Sequence, residues 1–310
     1  MPTKTPPQSA KIYAAIDKLY GPVERQILRS YRAALDETRG YLGKLYEKYA
    51  KEGVLTHAEM SKYNRLQSLH AQLTDMLGPE FSRDGRLIGR LTRVVYEETF
   101  YRMGWMLTET AGVSGKWGLL PPDLVKAAIE KPYSGLSLPE VWTRARAGAL
   151  SDIERAVVQG LVQGDSYPHM AARVKAAFDT NAKRALLIAQ TEGHRAQVEG
   201  QKTAYDRAAK MGIEVKQVWD ATLDGRTRES HQEMDGREAE DHGGRPMFYM
   251  RSIGAWVGGP GLTGVAAEDI NCRCRITPVI KGYEPTERRI QGALGAYQTY
   301  DEWAKYQGLK

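Results

Sequence analysis

The two cysteines of the chain stand one residue apart, at Cys272 and Cys274, and all six histidines lie elsewhere. Thiolate sulfur and imidazole nitrogen are the ligands a tetrahedral Zn²⁺ prefers. His231, Cys272 and Cys274 are the candidate set, with Asp220, Asp224 or His242 as a source of a fourth ligand. On a strand, residues two apart point to one face, so both thiols can bracket one ion. The competing reading is a pair of same-face core residues, because free cysteine is among the most buried residue types. Structural zinc sites more often separate paired cysteines by two residues, which places the core reading first. A disulfide between such close neighbours would be strained, and no third cysteine offers another pairing. Without a disulfide framework, a reducing compartment is the natural setting.

The stretch Asp224-Gly225-Arg226-Thr227-Arg228-x-x-His231 also carries two readings. As chemistry, Asp224 and His231 would form an acid/base pair, with an arginine clamping an anion in phosphodiester or nucleotide reactions. No Gly-rich phosphate loop or carboxylate cluster for Mg²⁺ accompanies them. As structure, the stretch is a turn followed by one helical turn. Asp224 would cap backbone N–H groups, and the arginines would pair with carboxylates such as Glu192. A buried Arg–Glu pair of that kind would join the long helix before it to the strands around it. The structural reading is the stronger. His194 and His169 read as surface or helix-face residues, not ligands.

The surrounding elements are mostly helical. Residues 1–9 are polar and Pro-rich and read as a flexible tail, and residues 10–111 as long helices. Over 23–52, Ile27, Tyr31, Ala34, Leu35, Tyr41, Leu42, Leu45, Tyr46 and Tyr49 make one broad apolar stripe. Thr56-x-x-Glu59 has the form of a capping box starting a second helix, which Gly78-Pro79 stops. A third helix is expected over 87–110. Residues 112–178 read as a helical subdomain of shorter elements, with helices over 123–130, 137–163 and 166–178. A long Ala-rich helix covers 181–211 and ends at Gly212. Residues 213–219 and 271–280 alternate apolar and polar side chains, the signature of strands. The expected fold is mainly α with a smaller C-terminal α+β domain over 179–282, long amphipathic helices plus a short β-sheet. Residues 283–310, with Tyr297, Tyr300, Trp303 and Tyr306, read as a helix or a docking tail.

At 310 residues the chain exceeds what one core usually organises, so two domains are expected, and 42% hydrophobic residues suffice for real cores. The net charge of +6 favours polyanions only mildly. Arg25, Arg29, Arg32, Arg83, Arg86, Arg90 and Arg93 could meet DNA phosphates, or form solvated faces balanced by acidic neighbours. No nucleic-acid motif favours the sharper choice. No apolar run reaches the length of a membrane span, and the first ten residues lack the apolar centre of a signal peptide. Synthesis in the cytosol without a membrane step is therefore expected.

Taken in order, Thr191, Glu192, Trp219, Asp224, Arg226, Thr227, Arg228, His231, Gly236, Asn271, Cys272, Arg273 and Cys274 resemble the Mu-F/SPP1-gp7-like head morphogenesis domain of tailed phages. That pattern has a Thr-Glu helix, a Trp ahead of Asp-x-Arg-Thr-Arg-x-x-His, and a closing Asn-Cys-Arg-Cys. The resemblance implies a minor head protein, not an enzyme, acting in procapsid and head assembly near the portal. Its implied partners are the portal protein and the major capsid or scaffold protein, with packaged double-stranded DNA as a further contact. Its implied place is the virion head, after assembly in the host cytoplasm. The alternative is a zinc- or Asp/His-dependent nuclease or nucleotide-modifying effector delivered with the phage DNA. Toxins occur fused after domains of this family, but the 28 residues following Gly282 are too few for a folded toxin domain.

Overall fold

The computed structural model describes residues 8–112, 117–131, 135–280, 286–291 and 293–298, with Glu302 and Lys305. Most of the expected N-terminal tail, the boundary near residue 282, and Tyr300, Trp303 and Tyr306 lie outside the described residues. Gln8 and Ser9, read as the end of that tail, are buried at the start of the first helix. The helices are α1 (Ser9–Asp17), α2 (Tyr20–Tyr49), α3 (His57–Ser61), α4 (Arg65–Ala111), α5 (Pro122–Glu130), α6 (Leu138–Gln163), α7 (Tyr167–Lys210), α8 (Glu229–Gln232) and α9 (Ala266–Asp269). The strands are β1 (Lys216–Asp220), β2 (Glu240–Asp241), β3 (Pro246–Met250), β4 (Ala255–Val257), β5 (Arg275–Val279), β6 (Glu287–Ile290) and β7 (Ala293–Ala296). The protein is mainly helical with a few small antiparallel sheets toward its C-terminus. Among the described residues, no helix is long and apolar enough to cross a membrane. The chain divides into two units: residues 21–90 with 137–189, and residues 1–20 with 91–136 and 190–310.

The first unit is helical. Most of the stripe expected on α2 is its buried face, with Ile27, Tyr31, Ala34, Leu35, Leu42 and Tyr46 covered, whereas Tyr41, Leu45 and Tyr49 are only half-buried at its edge. Tyr31 packs against Phe81 of α4 with ring centroids 5.1 Å apart. Trp142 of α6 donates its indole N–H to the Phe81 carbonyl at 2.8 Å. Its ring lies so close to Gly85 that a Cβ there would come within 2.3 Å. Ser137 and Glu140 form a capping box at the start of α6, and Gly164 closes that helix in the left-handed region. Ser30 donates to the buried Asp84 carboxylate at 3.0 Å. Burial, only partly offset by that hydroxyl, pushes the Asp84 pKa up to about 7.

Three expectations about these helices need correction. Thr56 does cap α3, accepting from the Glu59 N–H at 3.2 Å, but α3 ends after five residues. The Glu59 carboxylate turns to Lys62 and Arg65, and Tyr63 and Asn64 take left-handed φ values before α4 begins. Gly78-Pro79 does not stop a helix, because α4 runs through it. Proline removes one N–H from the ladder, a cost of about 3 kcal/mol. Leu73, Leu77, Phe81 and Ile88 are fully or almost fully buried on one stripe across it, and together their burial exceeds that cost. Likewise the helices expected over 166–178 and 181–211 are one helix, α7. Buried Asn181 bonds back to the Ala177 carbonyl at 3.0 Å, satisfying its amide inside the helix.

The second unit places the motif residues. Within it, α7 crosses α4 at Gly200, where a Cβ would come 2.5 Å from the Tyr96 carbonyl oxygen. Tyr96 and Thr203 hydroxyls meet at 2.8 Å beside that crossing. Gln201, one residue on, donates to the Tyr13 hydroxyl of α1 at 2.6 Å and to the Ile276 carbonyl of β5. This buried amide therefore ties α1, α7 and β5 together. The two expected strands pair antiparallel as β1 and β5, with Trp219 opposite Ile276. Each is shorter than its alternating run, and Cys272 and Cys274 precede β5 instead of lying on it. β2, β3 and β4 form a three-stranded meander. Within the C-terminal stretch, Glu287–Ile290 and Ala293–Ala296 form the hairpin β6–β7, which was not expected, while Glu302 and Lys305 are helical. The hairpin is anchored by buried Arg288, which pairs with Asp220 and, at 2.9 Å, with Asp235.

Candidate functional site

The motif stretch begins where β1 leaves its sheet. Thr222 donates its hydroxyl to the Arg273 carbonyl at 2.7 Å, and the Thr227 hydroxyl bonds back to the Thr222 carbonyl. Asp224 closes the turn by accepting the Arg226 N–H at 2.9 Å and the Thr227 hydroxyl at 3.2 Å. The guanidinium of Arg273 grips the same carboxylate through both Nη atoms, one of them at 2.9 Å. Burial alone would raise the Asp224 pKa, but the Arg273 fork and the Arg226 N–H outweigh it and hold it below the usual range. The stretch is thus a turn followed by the short helix α8, with Asp224 as the expected cap.

The arginines do not meet Glu192. Arg226 is 80% exposed and stands 3.8 Å from Asp224. Arg228 donates to the Ile270 carbonyl at 2.6 Å and the Glu268 carbonyl at 3.4 Å, fastening α8 to the end of α9. Glu192 instead pairs at 2.6 Å with Arg195, one turn along the same helix. Arg195 then reaches the carbonyls of Ile129 and Lys131 at the C-terminal end of α5. The helix-to-strand link runs through Thr191, whose hydroxyl accepts the Asn271 N–H at 3.1 Å. Asn271 sits at φ +60°, a region asparagine tolerates better than most side chains, and there the chain turns into Cys272-Arg273-Cys274.

The alternation of that run sends Arg273 to Asp224 and both sulfurs to one imidazole. Nδ1 of buried His231 lies 3.4 Å from Cys274 Sγ and 3.6 Å from Cys272 Sγ. Its Nε2 lies 3.0 Å from Glu268 Oε2, and that carboxylate also accepts the Ser230 hydroxyl at 2.9 Å. Trp219 and the imidazole pack in a T-shape with centroids 5.6 Å apart, and Phe248 packs on Trp219 at 5.4 Å. Among the described residues, His231, Cys272 and Cys274 are a group of potential metal ligands whose donor atoms lie within 4.8 Å of one another. The Cys272 hydrogen bond, reinforced by His231, holds the Cys274 thiol well below its ordinary range, whereas burial pushes Cys272 well above it. Burial opposes a charge on His231, but Cys274 and Glu268 together raise its pKa.

The other candidates lie elsewhere. Asp220 bonds Arg288 and the Thr277 hydroxyl, the latter at 3.1 Å. His242 is exposed and stacked on Trp256 at 4.7 Å. Asp224 and His231 have separate partners, so they do not form the acid/base pair considered from sequence. His169 is exposed, while His194 is buried on α7 and contacts the Arg275 guanidinium at 2.8 Å. Burial, then Arg275, push the His194 pKa well below its usual value. The seven arginines named as DNA candidates are all exposed, and Arg83 and Arg93 pair with Glu80 and Glu97 on their own helix. Sequence reasoning missed Glu268, whose partner His231 lies 37 residues away, and Arg288, whose carboxylate partners Asp235 and Asp220 lie 53 and 68 residues away.

With this geometry in place, the comparisons with known proteins carry a family assignment. The Minor head protein GP7 of Bacillus phage SPP1 is 31% identical over 298 residues, covering 94% of this chain and 94% of that protein. The profile described as Phage Mu protein F like protein matches residues 151–277, which include every motif residue from Thr191 to Cys274. The chain belongs to the Mu F-like family of phage minor head proteins. As a Mu F-like head protein, it is a phage head component with capsid-related partners. A second relative of this Mu F-like chain is the NAD(+)–arginine ADP-ribosyltransferase EFV of Enterococcus faecalis. It is 27% identical over 286 residues, covering 92% of this chain and 57% of that protein. A protein of Haemophilus influenzae is 30% identical over 161 residues, 51% of this chain and 32% of its own length. No solved structure matches the chain significantly.

Proposed function

We propose that this Mu F-like protein acts in procapsid assembly near the portal vertex, docking on the portal protein and on the major capsid or scaffold protein. The observation that carries this reading is the similarity to the SPP1 minor head protein along 94% of both chains. A match of that extent includes the helical unit as well as the motif. Its mechanism is docking: the helices offer mixed apolar and charged faces to neighbouring subunits. Leu28, Val158 and Val162 in the helical unit, and Tyr101, Trp105 and Leu119 in the other, are exposed apolar side chains that support such a role. The exposed arginines add a secondary contact with packaged double-stranded DNA. The protein takes its place in the virion head after assembly in the host cytoplasm.

The test is co-expression with the portal and major capsid proteins encoded beside it, then mass spectrometry of purified particles. The expected result is a few copies of the chain in each particle, and heads of lowered infectivity when it is deleted. Absence from particles and from portal complexes, with infectivity unchanged on deletion, would sink the proposal.

A further inference from the structure

We propose that His231, Cys272 and Cys274 together hold one divalent ion of the zinc class, through Nδ1 and two thiolate sulfurs. The distances have the right size. With Zn–S about 2.3 Å and Zn–N about 2.0–2.1 Å, neighbouring nitrogen and sulfur ligands of a tetrahedral ion stand roughly 3.6 Å apart. Nδ1 lies 3.4 and 3.6 Å from the two sulfurs. Two sulfurs converging on one ring nitrogen are more than a hydrogen bond between thiol and imidazole requires, but they are two edges of a coordination tetrahedron.

The opposite side of the ring adds a second, independent observation. Nε2 faces the Glu268 carboxylate at 3.0 Å, and Ser230 holds that carboxylate in turn. A histidine that ligates a metal characteristically donates its other N–H to a carboxylate, which fixes the tautomer and makes the ligating nitrogen more basic. With Nε2 donating to that carboxylate, Nδ1 would be the nitrogen left to ligate, and it is the one aimed at the sulfurs. Charge balance agrees. All three ligand residues are buried, and two buried thiolates alone would be expensive, but a divalent ion neutralises them. Sulfur and imidazole donors select zinc over magnesium or calcium. Loading releases two protons from the His231, Cys272 and Cys274 set to solvent, and no redox step is involved. The ion would tie α8 to the run before β5, positions 41 and 43 residues apart, and so close the long loop between them. The three side chains leave the fourth position to a ligand from outside this set. The site is independent of the head-assembly reading.

The full chain, expressed with added zinc and purified under reducing conditions, is expected to carry equimolar zinc by elemental analysis. Cobalt substitution is expected to give the visible bands of a tetrahedral ion and a near-ultraviolet thiolate charge-transfer band. His231→Ala and Cys274→Ser should abolish stoichiometric loading, and His242→Ala should leave it intact. Glu268→Gln should keep the ion but weaken its binding about 10–100-fold in competition with a chromophoric chelator. Should the ligand variants fail to fold, the cobalt spectrum of the native chain still decides. A folded native chain with neither zinc nor a cobalt–thiolate band overturns the proposal. So does a folded His231→Ala variant that retains full loading, or a Cys272–Cys274 disulfide in the reduced preparation.

Discussion

Asp224 receives both Nη atoms of Arg273, and this fork closes the turn on which the motif is built. Removing one partner of a buried pair leaves the other charge uncompensated, which costs more than the pair contributes. Arg273→Ala is therefore expected to lower unfolding stability by about 2–4 kcal/mol in urea titration. Arg273→Lys should recover only part of it, since an ammonium cannot make two parallel bonds. Equal stability of the alanine and native chains would refute the role assigned to the fork. Asp84 supports a pH prediction. Its folded pKa of about 7 lies above the unfolded value of about 4. Its contribution is full below the unfolded value and is lost as pH rises toward 7. Between pH 5 and 8, stability should fall on this account by on the order of 2–4 kcal/mol. Asp84→Asn keeps the acceptor for Ser30 and should flatten that slope. Parallel urea midpoints for variant and native chains across this pH range would rule the assignment out.

Among the elements, α4 and α7 carry the clearest conflict between local preference and packing. Alanine for glycine inside a helix ordinarily gains about 1 kcal/mol. At Gly200 the new Cβ would meet the Tyr96 carbonyl oxygen at 2.5 Å, and backbone cannot swing aside. The clash outweighs the propensity, so Gly200→Ala should destabilise by about 1–3 kcal/mol. A raised melting temperature would show that the crossing is looser than described. Pro79→Ala should act in the opposite direction, restoring an N–H to α4 and stabilising by up to about 3 kcal/mol, read from the urea midpoint. No gain would mean that the missing hydrogen bond already costs nothing there. The apolar stripe of α2 was legible because every third or fourth residue is buried. The continuity of α4 and α7 was not, because Gly78-Pro79 and the polar Asp179-Thr180-Asn181 are local break signals that burial elsewhere on the helix overrides.

For the protein as a unit of assembly, charge separates two kinds of contact. The net charge is only +6, and Arg83 and Arg93 already have acidic partners on their own helix. Duplex DNA binding should therefore be non-specific, with a dissociation constant on the order of 10⁻⁴–10⁻⁶ M, and should fall steeply between about 50 and 200 mM salt. Binding to the portal, resting on apolar contact, should persist over the same range. Fluorescence anisotropy with labelled duplex and with portal protein reads both. Tight, salt-resistant DNA binding would reverse the order of importance given to the two contacts.

Much about this chain was legible before any coordinates. The 3.6-residue recurrence of apolar side chains marked it as mainly helical, and the period-two alternation located β1 and β5. The order of motif residues pointed to the Mu F-like family, and Thr56 marked the start of α3. Each of these signals is local, or is an order along the chain, which a sequence states directly. The partners were decided only by tertiary structure. The i,i+3 spacing allows Arg195 to hold Glu192, but only the fold shows that Arg226 and Arg228 turn to other partners. His231, Cys272 and Cys274 were grouped from the sequence, but nothing near His231 announces Glu268 on its other nitrogen. Periodicity tells which face of an element is buried, but not which distant residue it is buried against. That choice is made when loops close and the packed elements leave one arrangement in which the buried polar groups are paired.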